Sequence, residues 1–117
     1  VMILNFANGY MGGHTGDFNA TVKDLETVDE CVGKLYDKIM SLGGTMILTA
    51  DHGNSELMLD DDNNIITSHT TSLVPFIITR ENIKLKNGKL GDIAPTILDL
   101  LNIEIPKEMD GDILISK

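Results

Sequence analysis

Three histidines, His14, His52 and His69, are the residues of this chain best suited to chemistry, and each lies in a loop beside an apolar segment. His14 follows an apolar run at residues 1–6. His52 sits in Asp51-His52-Gly53, directly after a second run at residues 45–50. His69 stands before Thr70-Thr71 and a third run at residues 74–79. Neutral imidazole and carboxylate suit Zn²⁺ or Mn²⁺, and neighbouring Asp51 and His52 can both ligate where Gly53 lets the backbone turn sharply. One histidine alone is most often an ordinary hydrogen-bonding residue. Three of them in glycine- or threonine-rich loops shift the reading towards a metal site. No serine supports nucleophilic catalysis, because Ser41, Ser55, Ser68, Ser72 and Ser116 lack a partner base and none occupies a strand-to-helix elbow.

The elements that must position these residues follow from hydrophobic patterning. Residues 1–6 and 45–50 read as strands covered on both faces. Between them Leu25, Val28, Val32, Leu35, Ile39 and Leu42 repeat at three and four, which predicts an amphipathic helix over about residues 21–42. Thr21 with Asp24 resembles a capping pair at its start, and Gly43-Gly44 supplies its end. Strand, helix, strand implies a right-handed crossover between parallel neighbours. The loops carrying His14 and His52 then emerge at the carboxyl edge of one sheet, where open α/β folds bind ligands. Residues 56–67 read as two short extended pieces around an Asp/Asn-rich turn; a calcium loop fails there because Ile65 and Thr71 stand where glycine and glutamate are needed. Residues 74–79 predict a third strand, residues 84–89 a polar connection, and Asp92 the N-cap of a short helix with Pro95 in its first turn. The fold class expected is α/β, with a mainly parallel sheet flanked by helices.

The chain has 117 residues, 42% of them hydrophobic, enough for one modest core and a single domain or fragment over 1–117. Its 18 acidic residues outnumber 9 basic ones, for a formal charge of −9. That field repels phosphate backbones and anionic membranes, so nucleic acid and membrane are poor partners. A small anionic substrate needs a local reversal of sign, which bound divalent cations supply. The single Cys31 forms no internal disulfide and suits a reducing compartment. No apolar run is long enough to cross a bilayer and no leader pattern opens the chain, so a cytoplasmic setting is the default expectation.

Four segments, LNFANGYMGGHTG, TADHGNSE, SHTTSLVPFI and GDIAPTILDLL, occur in the order and approximate spacing of the cofactor-independent phosphoglycerate mutases, so the chain resembles that family over essentially its whole length. The DHG and DIAPT elements alone would indicate only the wider alkaline phosphatase superfamily. The resemblance implies the C-terminal, metal-binding part of a phosphatase-type domain that carries two divalent ions, usually manganese. It implies interconversion of 3-phosphoglycerate and 2-phosphoglycerate through a phosphoserine intermediate in glycolysis.

By the same resemblance Asp51 and His52 match the pair that holds one metal beside the nucleophile, and His14 and His69 match two ligands of the other. Tyr10 stands where the family pattern has a metal-ligand aspartate. A phenol that titrates near 10 is a poor ligand for a hard cation, so the second site is expected to be weakly occupied. The serine nucleophile and the groups that hold phosphoglycerate lie upstream in the family, so no catalytic residue is assigned and the chain alone is expected to be inactive. Two alternatives stay open. One is a non-catalytic α/β remnant that packs against a partner. The other is a part of a different superfamily enzyme such as a phosphopentomutase. Surfaces exposed by truncation would favour self-association.

Overall fold

The structure, a computed structural model, describes residues 1–6, 18–53, 61–62 and 72–116. They fall into two compact units, Val1–Thr79 and Arg80–Lys117.

In the first unit, helix α1 spans Phe18–Ser41. The apolar repeat predicts its body, but it begins three residues before Thr21. Thr21 is therefore not a cap; it lies buried in the first turn, 2% exposed. The helix ends as its glycines predict. Gly43 adopts φ +72°, its N–H donates to Met40 O at 3.2 Å, and the N–H of Gly44 donates to Ile39 O at 2.9 Å. This paired closure satisfies carbonyls that the last turn would otherwise leave without a donor. An exposed Lys34–Glu30 pair at 3.6 Å adds little.

Strands β1 (Ile47–Thr49) and β2 (Phe76–Ile78) form a two-stranded antiparallel ladder, with Ile47 opposite Ile78, Leu48 opposite Ile77 and Thr49 opposite Phe76. The ladder extends one residue further: Thr79 N–H donates to Met46 O at 3.0 Å, and Met46 N–H donates to the Thr79 hydroxyl at 2.8 Å. An open apolar groove of about 340 Å³, lined in part by Val32 and Tyr36 of α1 and by Met46, Leu48 and Ile77, runs beside the strand pair.

This arrangement corrects the expected parallel sheet. Among the described residues no parallel pairing occurs, and both ladders are antiparallel. Residues 1–6 form no strand, and Val1, Met2 and Ile3 are about nine-tenths exposed. An apolar β-prone run records a preference for extended backbone and burial but does not specify which strand it pairs with. Residues 45–50 find their partner downstream, across a connection long enough to reverse direction. Most of residues 56–67 lie outside the described set; Asp61 and Asp62 form a turn, as their composition predicts.

The second unit contains strand β3 (Lys84–Leu85), a 3₁₀ turn (Leu90–Asp92), helix α2 (Ile93–Leu100) and strand β4 (Ile115–Ser116). β3 and β4 pair antiparallel, Lys84 with Ser116 and Leu85 with Ile115, so part of the expected polar connection at 84–89 is strand. Two residues are too few for any periodicity to announce them. Pro95 sits in the first turn of α2, where a helix has N–H groups without intrahelical acceptors and a missing donor costs little.

Asp92 occupies the N-cap position of α2, as predicted, but its carboxylate serves other partners. Oδ2 accepts the Lys89 N–H at 2.8 Å and Oδ1 accepts the Asp112 N–H at 2.9 Å. One turn on, the Thr96 hydroxyl donates to the Asp92 carbonyl at 2.7 Å and accepts the Leu114 N–H at 2.9 Å. Asp92 is 4% exposed and Thr96 fully buried, beside the buried Leu114 and Ile115. These four bonds clasp the start of α2, the loop before it and the C-terminal segment together. Gly111 packs so closely on the Gly91 carbonyl that a Cβ there would strike backbone.

Replacing Thr96 by Val keeps the shape but leaves the buried Leu114 N–H without its acceptor, at a cost of about 1–3 kcal/mol. Urea unfolding, with hydrogen exchange at Leu114, should show the loss; an unchanged midpoint would argue against the clasp. The pH dependence has a definite sign. Hydrogen bonds from the Lys89 and Asp112 N–H groups hold the Asp92 carboxyl below its ordinary 3.8. Its contribution is therefore fully present above that value and is lost as pH falls below it. Amide protection at Lys89 and Asp112 should fall over that acid range in the parent chain and be weak at all pH values in Asp92→Asn.

Candidate metal centre

β1 delivers the candidate ligands. Its last residues lead through Ala50 into Asp51 and His52, with the buried Gly53 closing the segment. The apolar side chains of Ile47 and Leu48 anchor the strand, so the turn that follows is held at a fixed end of the ladder.

The Asp51 side chain is largely exposed, whereas that of His52 retains only 22% of its accessible surface. Asp51 Oδ1 and His52 Nε2 face one another at 3.5 Å. The other ring nitrogen, Nδ1, lies 3.1 Å from the Gly53 carbonyl oxygen. A carbonyl can only accept, so this contact is a hydrogen bond when Nδ1 carries the proton. With the proton on Nδ1, the Nε2 lone pair is left for a cation lying between it and Asp51 Oδ1, the arrangement by which a backbone carbonyl orients a ligating histidine. Without a cation Oδ1, also an acceptor, would face an Nε2–H.

The donor set fits a divalent cation. Two ligands of one tetrahedral ion, with bonds of about 2.0–2.2 Å, stand about 3.4 Å apart, close to the spacing of Oδ1 and Nε2. Charge favours the same species: Val1–Thr79 carries eleven acidic and three basic residues, a formal −8, whereas Arg80–Lys117 carries only −1. Among the described residues no cluster of three or more His, Cys, Asp or Glu forms, so the pair supplies only part of a coordination shell.

Of the residues expected from sequence, Asp51 and His52 stand together. His14, His69 and Tyr10 lie outside the described residues. The contact that sequence reasoning missed is the Gly53 carbonyl. In the sequence Gly53 signals only a pivot for the turn, and a backbone acceptor leaves no mark in side-chain patterns. Cys31 is free and half-buried on α1, in keeping with a packing role. No described helix is long and apolar enough to cross a membrane.

Residues 1–105 match the family model described as "Metalloenzyme superfamily". The chain is 53% identical over 116 residues to the 2,3-bisphosphoglycerate-independent phosphoglycerate mutase of Staphylococcus epidermidis strain RP62A, covering 98% of this chain and 23% of the relative. It is equally similar, with the same coverage, to the enzyme of that name from Staphylococcus aureus strain COL. The Staphylococcus saprophyticus mutase is 50% identical over 117 residues, covering 99% of this chain and 23% of its own. The chain thus spans about a quarter of the length of these curated relatives.

The geometry makes a direct prediction about the ring. With Zn²⁺ bound at Nε2, His52 should carry its proton on Nδ1, which long-range ¹H–¹⁵N correlation spectra read directly. A ring protonated on Nε2 would mean that Gly53 does not orient it.

Proposed function

The chain belongs to the Metalloenzyme superfamily, and from that premise we propose that Asp51 and His52 ligate one divalent ion in the C-terminal metal-binding part of a phosphoglycerate mutase. The observation that carries this reading is the facing pair Asp51 Oδ1 and His52 Nε2, 3.5 Å apart, with Gly53 on the far side of the ring. Manganese is the ion we assign, and residues 1–117 are read as one part of the phosphatase-type domain. His14 and His69 are assigned to a second ion, which Tyr10 weakens by standing in place of a carboxylate.

A bound divalent ion would offset the acidic field and stabilise negative charge on a transferring phosphoryl group. The part this chain plays is to present the Asp51 carboxylate at an exposed edge and to keep the His52 ring aligned. In this reading the reaction is the interconversion of 3-phosphoglycerate and 2-phosphoglycerate through a phosphoserine. Polypeptide corresponding to the remaining three quarters of the relatives supplies the nucleophile and the substrate-binding groups. The similarity to phosphoglycerate mutases of staphylococci favours that enzyme over a phosphopentomutase. The solitary Cys31 fits a reducing, cytoplasmic setting.

A non-catalytic remnant is the competing reading, and Tyr10 is the residue that favours it. Titration with Mn²⁺, followed by electron paramagnetic resonance, separates the two. Binding should weaken by at least about tenfold in Asp51→Asn and in His52→Ala, because even outer-sphere partners of a metal ligand are worth about 10–100-fold. A parent chain that takes up no ion, or variants that bind as the parent does, would support the remnant. The 117-residue chain with saturating Mn²⁺ should convert no 3-phosphoglycerate above a metal-only blank. Measurable conversion would show that the nucleophile is present after all.

A further inference from the structure

Asn87-Gly88 occupies the loop between β3 and the 3₁₀ turn, outside the secondary structure and exposed to solvent. Neither residue makes a hydrogen bond to another described residue. The Gly88 nitrogen is thus unengaged by them, and with no side chain on Gly88 itself no β-substituent hinders its approach to the Asn87 amide carbon. The other described Asn–X pairs differ: Asn5 is followed by the bulky Phe6, and Asn19–Ala20 lies within α1. Asn82 and Asn102 hold φ +61° and +55° and are each followed by a β-branched isoleucine, and the Ile103 N–H is committed to Leu98 O at 3.0 Å.

We propose that Asn87 is a site of spontaneous, water-consuming modification and that its conversion to isoaspartate opens the Asp92 clasp. The Gly88 nitrogen attacks the Asn87 side-chain carbonyl carbon. A C–N bond to Gly88 forms, the bond to the side-chain nitrogen breaks, and ammonia leaves with the proton given up by Gly88. The resulting five-membered imide is then opened by one water molecule, at either carbonyl. One opening gives aspartate; the other gives isoaspartate, in which the main chain runs through the former side chain and is longer by one methylene.

The position of Gly88 makes that extra methylene consequential. A Cβ on Gly88 would collide with the Asp92 carboxylate and with the Leu114 side chain, so Gly88 lies close against both on that side. Lys89, the next residue, donates its N–H to Asp92 Oδ2. A longer chain between residues 87 and 88 must push Gly88 into Asp92 or draw Lys89 away from it. Either movement breaks the bond to Lys89 and disturbs the bonds that Asp112 and Leu114 make to Asp92 and Thr96.

The test is to age the purified chain at mildly alkaline pH and follow two readouts together: isoaspartate at each asparagine by peptide mapping with isoaspartyl methyltransferase labelling, and hydrogen exchange at the Lys89, Asp112 and Leu114 amides. Isoaspartate should appear at Asn87 well ahead of Asn82 and Asn102, and protection of the three amides should be lost in step with it. Asn87→Gln cannot close the five-membered ring and should keep its protection. Asn87→Asp carries the new charge without the longer backbone and should keep it too. Conversion of Asn87 no faster than of Asn82 and Asn102 would overturn the proposal. So would an isoaspartyl chain that remains protected, or an Asn87→Asp chain as unprotected as the aged one.

Discussion

The unit Arg80–Lys117 depends on one buried carboxylate. A charge removed from water is tolerable only when hydrogen bonds replace its hydration, and Asp92 is given two, from the Lys89 and Asp112 N–H groups. Those donors lie three residues before it and twenty after it, so satisfying the charge fixes where the chain must return. Thr96 repeats the device one turn along, receiving Leu114 while donating to the Asp92 carbonyl. Little else does this work, since the buried apolar side chains of the unit include Leu114 and Ile115 but few others among the described residues. Polar geometry, more than apolar volume, specifies this unit.

The candidate metal centre follows the opposite logic. Asp51 is left in water, where its charge costs nothing to maintain, and only His52 is partly enclosed. Its ring needs orientation rather than burial, and the Gly53 carbonyl supplies it from the adjacent residue. Three consecutive residues therefore contain both donors and the group that aligns one of them. Such a site depends on where β1 ends more than on the rest of the unit.

What could be read in advance divides along the same line. The helical repeat from Leu25 to Ile39 is periodic, so α1 was legible, and Gly43-Gly44 marked its end because few other residues accept φ +72°. Its start was not legible, since Thr21 and Asp24 match a capping pattern that the buried Thr21 does not use. Strand direction was illegible for a general reason. The residues 45–50 carry a preference for extended backbone, but pairing Leu48 with Ile77 is a long-range choice that local pattern does not encode. At the candidate site the adjacency of Asp51 and His52 was written in the chain, whereas the role of the Gly53 carbonyl was not, because every residue has one. Asp92 was legible as a helix start. That its carboxylate binds Asp112, twenty residues away, could not be seen without the fold.

The half-open face of α1 has a thermodynamic consequence. Val22, Leu25, Tyr36 and Met40 each keep about two-fifths of their surface in water even though they lie in an amphipathic helix. Unfolding would therefore newly hydrate only about three-fifths of the surface of these side chains, and newly hydrated apolar area is what raises the heat capacity of unfolding. The contribution of α1 to the curvature of the stability curve is accordingly smaller than that of a helix whose apolar face is fully covered.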